Sequence, residues 1–477
     1  MISDCDRSGL LFEFAELSRS LGADLFPCED SSAAGFSSVS IDSRTVQEGA
    51  LFVALPGTVS DGHNFVEAAF RSGAAAALVK RSALDAFDLL HTAQNHRKTI
   101  IAVDNTLQAL QDAARLYLQR FPGLLKIGIT GSSGKTTTKE IAAAIIGAEK
   151  KVVMNPGNYN SETGLPLAVF AVRSCHEAGI FEMGMNHPGE ISDLASILNP
   201  DIALITNIGT AHIGMIGSIE AIAKEKKEIF SQFNGKNTAL IPHDCPFRDY
   251  LAEGVRGRVS FFGEKNFTEL EGVRNLGLEG SEITWKGQRI RFALPGRYNL
   301  ADAFAAIAIA REVPVSAAAI KQLETVKPLF GRGEIFYGSV TVIRDCYNSN
   351  PESLAGALDF CEDLDWPGRR IYVIGDMLEL GENSRKAHRD VGRYLAGSGA
   401  DMVFLFGEEI KAAAEILRLE QTGSAGFFHT GDIDELSRAL GSYVQNGDLV
   451  LLKGSRGCAL ERLCDTLKCP ETAEGAA

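Results

Sequence analysis

The residues with the most chemical content lie in the stretch 124–138, where Gly131-Ser132-Ser133-Gly134-Lys135-Thr136-Thr137 follows an apolar strand and opens a helix. Glycines at such a junction let backbone N–H groups close around a phosphate chain at a helix N-terminus, where the helix dipole also favours negative charge. Lys135 places a cation toward the β and γ phosphates, and the Thr136 hydroxyl supplies a ligand for Mg²⁺. The loop is one residue shorter than the usual G-x-x-x-x-G-K-[ST] spacing. A plain glycine turn for close strand–helix packing is the alternative. Strand, loop and helix context together favour the nucleotide.

A second group surrounds the helix expected over residues 218–233. Its apolar residues Ile219, Ile222, Ile229, Phe230 and Phe233 form one stripe, and at about 100° per residue Lys226 projects into that stripe. Lys224, Glu225, Lys227 and Glu228 project away from it. A lysine on a buried face is costly unless paired or neutralised. Either it snorkels past the stripe to water, or it is a functional amine of lowered pKa facing the nucleotide. A neutral amine can take up carbon dioxide as a carbamate, which turns a cation into an anionic metal ligand. Periodicity alone does not choose. Glu182, at a strand end, stands where phosphate-loop proteins place a Mg²⁺-binding acid. His212 follows another strand end. Each alone can be an ordinary satisfied polar residue; together at the strand ends of one sheet they support each other as metal ligands.

The elements that must position these groups follow from pattern. Within 477 residues, strands alternating with helices predict an α/β chain of three domains, at about 150 residues per domain. The expected units are 1–103, a small mixed domain; 104–327, a mostly parallel sheet carrying the phosphate loop with helices on both faces; and 328–477, a Rossmann-like α/β domain. Asp104 is expected to cap the first helix of the central unit. A hairpin at 284–292 is expected to complete the central sheet, followed by two alanine-rich helices at 299–311 and 316–326. Residues 470–477 read as a disordered small-residue tail.

Composition sets outer bounds. A net charge of −14 offers no basic face for nucleic acid, so an anionic ligand must be held by local cations and N–H groups. The nine cysteines show no metal-ligand spacing and read as reduced thiols of a cytoplasmic protein. The first residues lack a secretory pattern, and no apolar run is long enough to span a membrane.

With these residues in place, the chain resembles the Mur ligase family over nearly its whole length. The resemblance rests on the shortened loop at Gly131, Glu182-Met-Gly, Asn186-His187-Pro-Gly-Glu190, Thr210-Ala-His212 and the segment around Lys226. Later segments agree in order: Leu294-Pro-Gly-Arg-Tyr-Asn299, Phe330-Gly-Arg332, Asp345-Cys-Tyr-Asn348 and Lys453-Gly-Ser455-Arg456. It implies an ATP-dependent amide ligase of peptidoglycan precursor synthesis working through an acyl phosphate. The three units would hold a UDP-linked substrate, hold ATP, and close over the ATP. It further implies two Mg²⁺ sites, one served by Thr136 and Glu182, the other by His212 and a carbamylated Lys226. Asn299, Arg332, Asp345 and Asn348 would contact the nucleotide. Asp42, Ser43 and Arg44 would serve the UDP end, and Asn158, Asn160, Asn186, His187, Lys453, Ser455 and Arg456 the substrates. Gly375-Asp-Met-Leu-Glu-Leu-Gly381 with His388 resembles the branch joining D-alanyl-D-alanine to UDP-N-acetylmuramoyl-tripeptide, and relatives suggest a monomer. The alternatives are a diamino-acid-adding relative, a folylpolyglutamate-synthase-like ligase, or a nucleotide-dependent switch without an amine substrate.

Overall fold

A computed structural model describes residues 9–28, 33–57, 60–420 and 426–469. The expected tail at 470–477 and the extreme N-terminus lie outside them. The first sheet contains β1 (Asp24–Phe26), β2 (Ser38–Ser40), β3 (Ala50–Val53), β4 (Ala76–Lys80) and β5 (Thr99–Val103), in the order β1-β5-β4-β3-β2. Only β1 runs antiparallel to its neighbour. Helix α1 (Thr106–Leu118) follows, capped by Asn105, whose side chain accepts from the N–H groups of Leu107 and Gln108. Asp104, expected as the cap, instead pairs with Arg81 across the sheet end.

The central sheet is built from β6 (Leu125–Thr130), β7 (Val152–Met154), β8 (Ala178–Glu182), β9 (Ile202–Ile205), β10 (Thr238–Pro242) and β11 (Arg258–Phe262). All are parallel, in the order β11-β10-β9-β6-β8-β7. The near-continuous apolar runs of the inner strands β8, β9 and β10 are those of strands buried on both faces. Because β6 lies between β8 and β9, the chain reverses its order on the two sides of the phosphate-loop strand. Such a switch point opens a crevice at the C-terminal strand ends. Helices α2 (Lys135–Gly147), α3 (Glu190–Leu198) and α4 (Ile219–Lys227) pack on this sheet, with Ser218 capping α4.

The hairpin does not extend the central sheet. It forms a separate antiparallel one with β12 (Leu270–Asn275), β13 (Ser281–Trp285) and β14 (Gln288–Phe292). Lys286 and Gly287 turn it with positive φ at both, the requirement of a tight two-residue hairpin turn. Helix α5 (Arg297–Glu312) follows; the second alanine-rich segment is a 3₁₀ run, Ala317–Thr325.

The last sheet has the order β15-β16-β20-β17-β18-β19, comprising β15 (Glu334–Phe336), β16 (Thr341–Asp345), β17 (Arg370–Gly375), β18 (Met402–Phe406), β19 (Gly426–Thr430) and β20 (Leu449–Lys453). Only β15 is antiparallel. Helix α6 (Pro351–Glu362) begins in a capping box between Asn350 and Ser353, and α7 (Ser384–Ala396) follows β17.

The first two sheets share one buried apolar cluster, joined through α1: Leu51, Leu78 and Ile101 belong to it together with Leu110, Tyr117, Phe181 and Ile229. The last sheet has its own clusters. Cys28, Cys245, Cys346, Cys361, Cys458, Cys464 and Cys469 are free thiols. Cys175 is disulfide-bonded, which corrects the all-reduced expectation.

Candidate active site

The phosphate loop is held by groups from the neighbouring strand. Ser132 and Ser133 each donate a backbone N–H to Asn207 Oδ1 at 3.0 Å, and Asn207 Nδ2 donates to Ser133 Oγ at 2.7 Å. Lys135 Nζ folds back onto Gly131 O at 2.8 Å. Burial pushes the Lys135 amine down, partly opposed by the Glu182 carboxylate. Gly134 has φ +76°, and a Cβ there would lie 2.0 Å from Asp302 Oδ1. Both the backbone conformation and the space exclude a side chain. Gly134→Ala is therefore expected to weaken nucleotide binding by about 10²-fold or more, through a loop that must move off Asp302; titration with a fluorescent ADP analogue measures it.

Glu182, at the end of β8, is 2% exposed. It accepts from Thr136 Oγ1 at 2.7 Å on one oxygen and from Asn160 Nδ2 at 2.6 Å on the other. Its backbone is clasped by Asn155, whose Oδ1 takes the Glu182 N–H at 2.9 Å while its Nδ2 donates to the Glu182 carbonyl at 3.1 Å. Lys139, fully buried one turn beyond Thr136, donates to Asn155 O at 2.7 Å. Helix α2 thus grips the Asn-rich turn and β8 from a single face.

The opposite wall carries Lys226, only 1% exposed. Among the described residues its Nζ has a single recorded polar neighbour, Met185 Sδ at 3.9 Å, and sulfur is a weak acceptor. Burial drives this amine well below the ordinary lysine range; the positive charge of Lys135 adds to that, and Glu225 opposes it. The snorkelling reading therefore fails. Glu225 does not project away either: it is buried and caps α3, accepting from the N–H groups of Gly189 at 2.9 Å and Ile191 at 3.0 Å.

His212 begins a short helical turn with φ +63°, and its Nδ1 lies 2.7 Å from Glu379 Oε2 of the last sheet's unit. The His212 contact, ahead of burial, holds the Glu379 carboxyl below its usual range. Among the described residues no three His, Cys, Asp or Glu side chains stand together at metal-binding distance. Thr136 and Glu182 meet, whereas His212 is paired across the cleft and Lys226 is sealed beneath Met185.

A cavity of about 1180 Å³ runs between the central sheet and the last one. The loop residues from Ser132 to Thr137 line it, with Asn158, Asn160, Glu182, Asn186, His212 and Asn299 on the central side and Arg332, Asp345, Asn348 and Lys453 opposite. Arg332 stacks on Tyr347, 4.1 Å from the ring centre. Lys453 pairs with Asp345 at 3.2 Å and donates to Asn348 O at 2.7 Å. Asn299 is buried and donates to Pro295 O. Other expected site residues lie off the cavity lining. Ser455 accepts from the Leu378 N–H, and Arg456 turns outward to Glu461. His187 is exposed. Asp42, Ser43 and Arg44 sit at the end of β2, where Arg44 grips Asp42 and holds its carboxyl down to about 2.

The sequence pattern of the Mur ligase middle domain matches residues 129–310, that of the Mur ligase glutamate ligase domain 331–456, and that of the Mur ligase family catalytic domain 35–118. The UDP-N-acetylmuramoyl-tripeptide–D-alanyl-D-alanine ligase of Treponema pallidum (strain Nichols) is 43% identical over 437 residues, 91% of this chain and 95% of that protein. The chain belongs to the Mur ligase family. Its fold agrees with that assignment: a crystal structure of MurF from Acinetobacter baumannii superposes with a TM-score of 0.83 at 27% identity, covering 96% of this chain and 99% of that one. MurF ligase from Thermotoga maritima, crystallised in complex with ADP, gives 0.77 at 28% identity over 90% and 97%.

Several residues around this Mur ligase cavity escape sequence reasoning. Asn155 sits in a turn singled out for its asparagines, yet its clasp on Glu182 depends on β7 and β8 being neighbours. Lys139 is detectable only as a lysine on the inner face of α2. Asp302, Asn207, Glu352 and Glu379 act across elements distant in sequence, where no local period points. Glu352 accepts from Thr210 N at 2.9 Å and Thr210 Oγ1 at 3.0 Å, a second carboxylate reaching the His212 segment from the last sheet's unit.

Proposed function

We propose that this Mur ligase uses ATP to join D-alanyl-D-alanine to UDP-N-acetylmuramoyl-tripeptide, giving the UDP-muramoyl-pentapeptide and ADP. The observation that carries this reading is the 43% identity, across 91% of the chain, to a ligase of that name. In this reading residues 1–103 bind the UDP-linked substrate, 104–327 hold ATP, and 328–477 close over it. Asp42, Ser43 and Arg44 face the UDP end. Asn158, Asn160, Asn186, His187, Lys453, Ser455 and Arg456 serve the peptide substrates. No described helix is long and apolar enough to cross a membrane, and the reading is of a cytoplasmic monomer.

The donor chemistry around the cavity fits Mg²⁺. Thr136 and Glu182 present a hydroxyl and a carboxylate, the hard oxygen set this ion prefers. His212 and Lys226, the latter as a carbamate, would hold a second ion. Lys226 meets the precondition: it is buried, has no oxygen partner among the described residues, and has a depressed pKa. When bound, the ions neutralise charge on the transferring phosphoryl group.

The protein's own groups do the rest. The loop N–H groups and Lys135 orient the triphosphate, with Gly131, Ser132, Ser133, Gly134, Thr136 and Thr137 around it. Asn299, Arg332, Asp345 and Asn348 hold the nucleoside end. The tripeptide carboxylate then attacks the γ-phosphorus, forming an acyl phosphate and releasing ADP. The neutral dipeptide amine attacks the acyl carbon, the C–O bond to phosphate breaks with its electron pair going to the phosphate, and the proton lost from nitrogen leaves with the phosphate as the amide forms. Exclusion of water by the last sheet's unit lets the amine rather than hydroxide capture the intermediate.

Phosphate release tests the reading. It is expected only with ATP, UDP-N-acetylmuramoyl-tripeptide and D-alanyl-D-alanine together. Equal release with ATP alone would mark a switch. Release supported by a free diamino acid and a shorter acceptor would mark a different branch of the family.

A further inference from the structure

The His212–Glu379 pair joins two units that are far apart in the chain. His212 precedes the short turn Ile213–Ile216 on the central unit. Glu379 lies in the loop that leaves β17 of the last sheet. Both residues are held in the left-handed region, φ +63° and +67°, a conformation L side chains rarely adopt and one that persists only where surroundings enforce it.

The enforcement is visible on both sides. Gly214 N donates to Glu379 O at 3.1 Å. A Cβ on Gly214 would lie 2.4 Å from Gly381 N, and one on Gly381 would lie 2.6 Å from Gly214 Cα. The two backbones therefore meet with no room for side chains. The Glu379 loop is itself anchored: His388 Nε2 accepts from Met377 N at 3.0 Å, and Ser455 Oγ accepts from Leu378 N at 2.9 Å. Asp376 begins the loop by accepting from Ile410 N at 2.7 Å. Glu352, from α6, fixes Thr210 two residues before His212.

The chemical outcome concerns the imidazole. With Nδ1 engaged by the Glu379 carboxylate at 2.7 Å, the neutral imidazole that can ligate a cation carries its proton on Nδ1 and its lone pair on Nε2, while the ring lines the cavity. Carboxylate–histidine pairs of this kind fix tautomer and orientation at metal sites. We infer that Glu379 is a positioning residue delivered across the cleft, which makes His212 a divalent-cation ligand only when the last sheet's unit is docked. This rests on the reading of His212 as a ligand. Domain closure and completion of the second cation site are then one event.

The test is Mn²⁺ binding to the full-length protein with ADP, followed by electron paramagnetic resonance, in Glu379→Gly, Glu379→Gln and His212→Ala. Glycine suits the left-handed backbone, so Glu379→Gly removes the carboxylate without adding strain, and its Tm is measured alongside. Loss of a partner to a liganding histidine typically costs about 10–100-fold in metal affinity, and that loss is expected at one of two Mn²⁺ sites in Glu379→Gly. Glu379→Gln, whose amide oxygen still accepts from Nδ1–H, is expected to retain most of the affinity. If His212→Ala loses a site while Glu379→Gly binds as the wild type, the inference fails and His212 remains a ligand. Equal loss in Glu379→Gln and Glu379→Gly also overturns it. Unchanged binding in His212→Ala removes the underlying reading as well.

Discussion

Replacing Lys226 with alanine is expected to cost about 10³-fold or more in turnover, the several kcal/mol that a lost metal contributes, converted at about 1.4 kcal/mol per decade. The substitution removes an amine that is sealed from water with no oxygen partner among the described residues. Alanine also leaves a cavity where the buried stem packed, so Tm is measured beside turnover to separate the two losses. Added bicarbonate should not help this variant, whereas a short-chain carboxylic acid that fills the vacated space as an anion should restore part of the rate. Wild-type enzyme stripped of carbon dioxide should lose activity and regain it with bicarbonate. Full activity in the alanine variant would remove the carbamate role.

Stability should move the other way. Burial depresses the folded-state pKa of the unmodified amine. Below the unfolded value of about 10.4 the folded chain therefore binds fewer protons than the unfolded one, and stability falls as pH falls toward the folded pKa. Lys226→Met, which keeps the stem and drops the amine, should accordingly be more stable at neutral pH than carbon-dioxide-free wild type. A gain of about 1 kcal/mol corresponds to a Tm rise of about 2–4 °C. A scanning calorimetry comparison decides it.

Glu182→Gln is expected to be comparably damaging, at about 10²–10³-fold in kcat with the loss concentrated at low Mg²⁺. The carboxylate accepts from both Thr136 and Asn160. An amide offers one acceptor and one donor, so Thr136 Oγ1 can stay bonded only by turning from donor to acceptor, and the carboxylate charge that would hold a cation disappears. Asn155 holds the Glu182 backbone whatever the side chain, so the sheet should not relax to compensate. Rates measured across a Mg²⁺ series separate the effects. An unchanged Mg²⁺ dependence would place the ion elsewhere.

Much of this arrangement is legible from local pattern because its parts are local. Buried parallel strands such as β6 and β8 are continuous apolar runs, and the glycine loop between β6 and α2 follows from spacing. The inward placement of Lys226 follows from the helical period and survives in the structure. Edge strands are less legible. In β11, Arg258 is exposed and Val259, Ser260 and Phe261 are half-buried, so no two-sided burial signal marks the element. The hairpin β13–β14 is visible as a hairpin, but nothing in it says which sheet it joins. A helical wheel ranks Glu225 by the stripe of its own helix and so points it outward, whereas its burial comes from the N-terminus of α3. Glu352 is a surface-like carboxylate by sequence, and Glu379 is marked only as a member of the segment 375–381; the docking of the last sheet gives both their partners.

The apolar cluster that α1 carries from the first sheet into the central one has a thermodynamic consequence. Two sheets that share one cooperative core cannot have independent stabilities. In the proposed reading, a UDP-linked substrate on the first sheet and a nucleotide on the central one both stabilise that single core against unfolding by mass action. The last sheet, with clusters of its own and only partly buried Ile213, Leu278 and Tyr298 reaching it from the central side, stands outside that exchange. Its docking rests instead on the polar and backbone contacts at Thr210, His212 and Gly214.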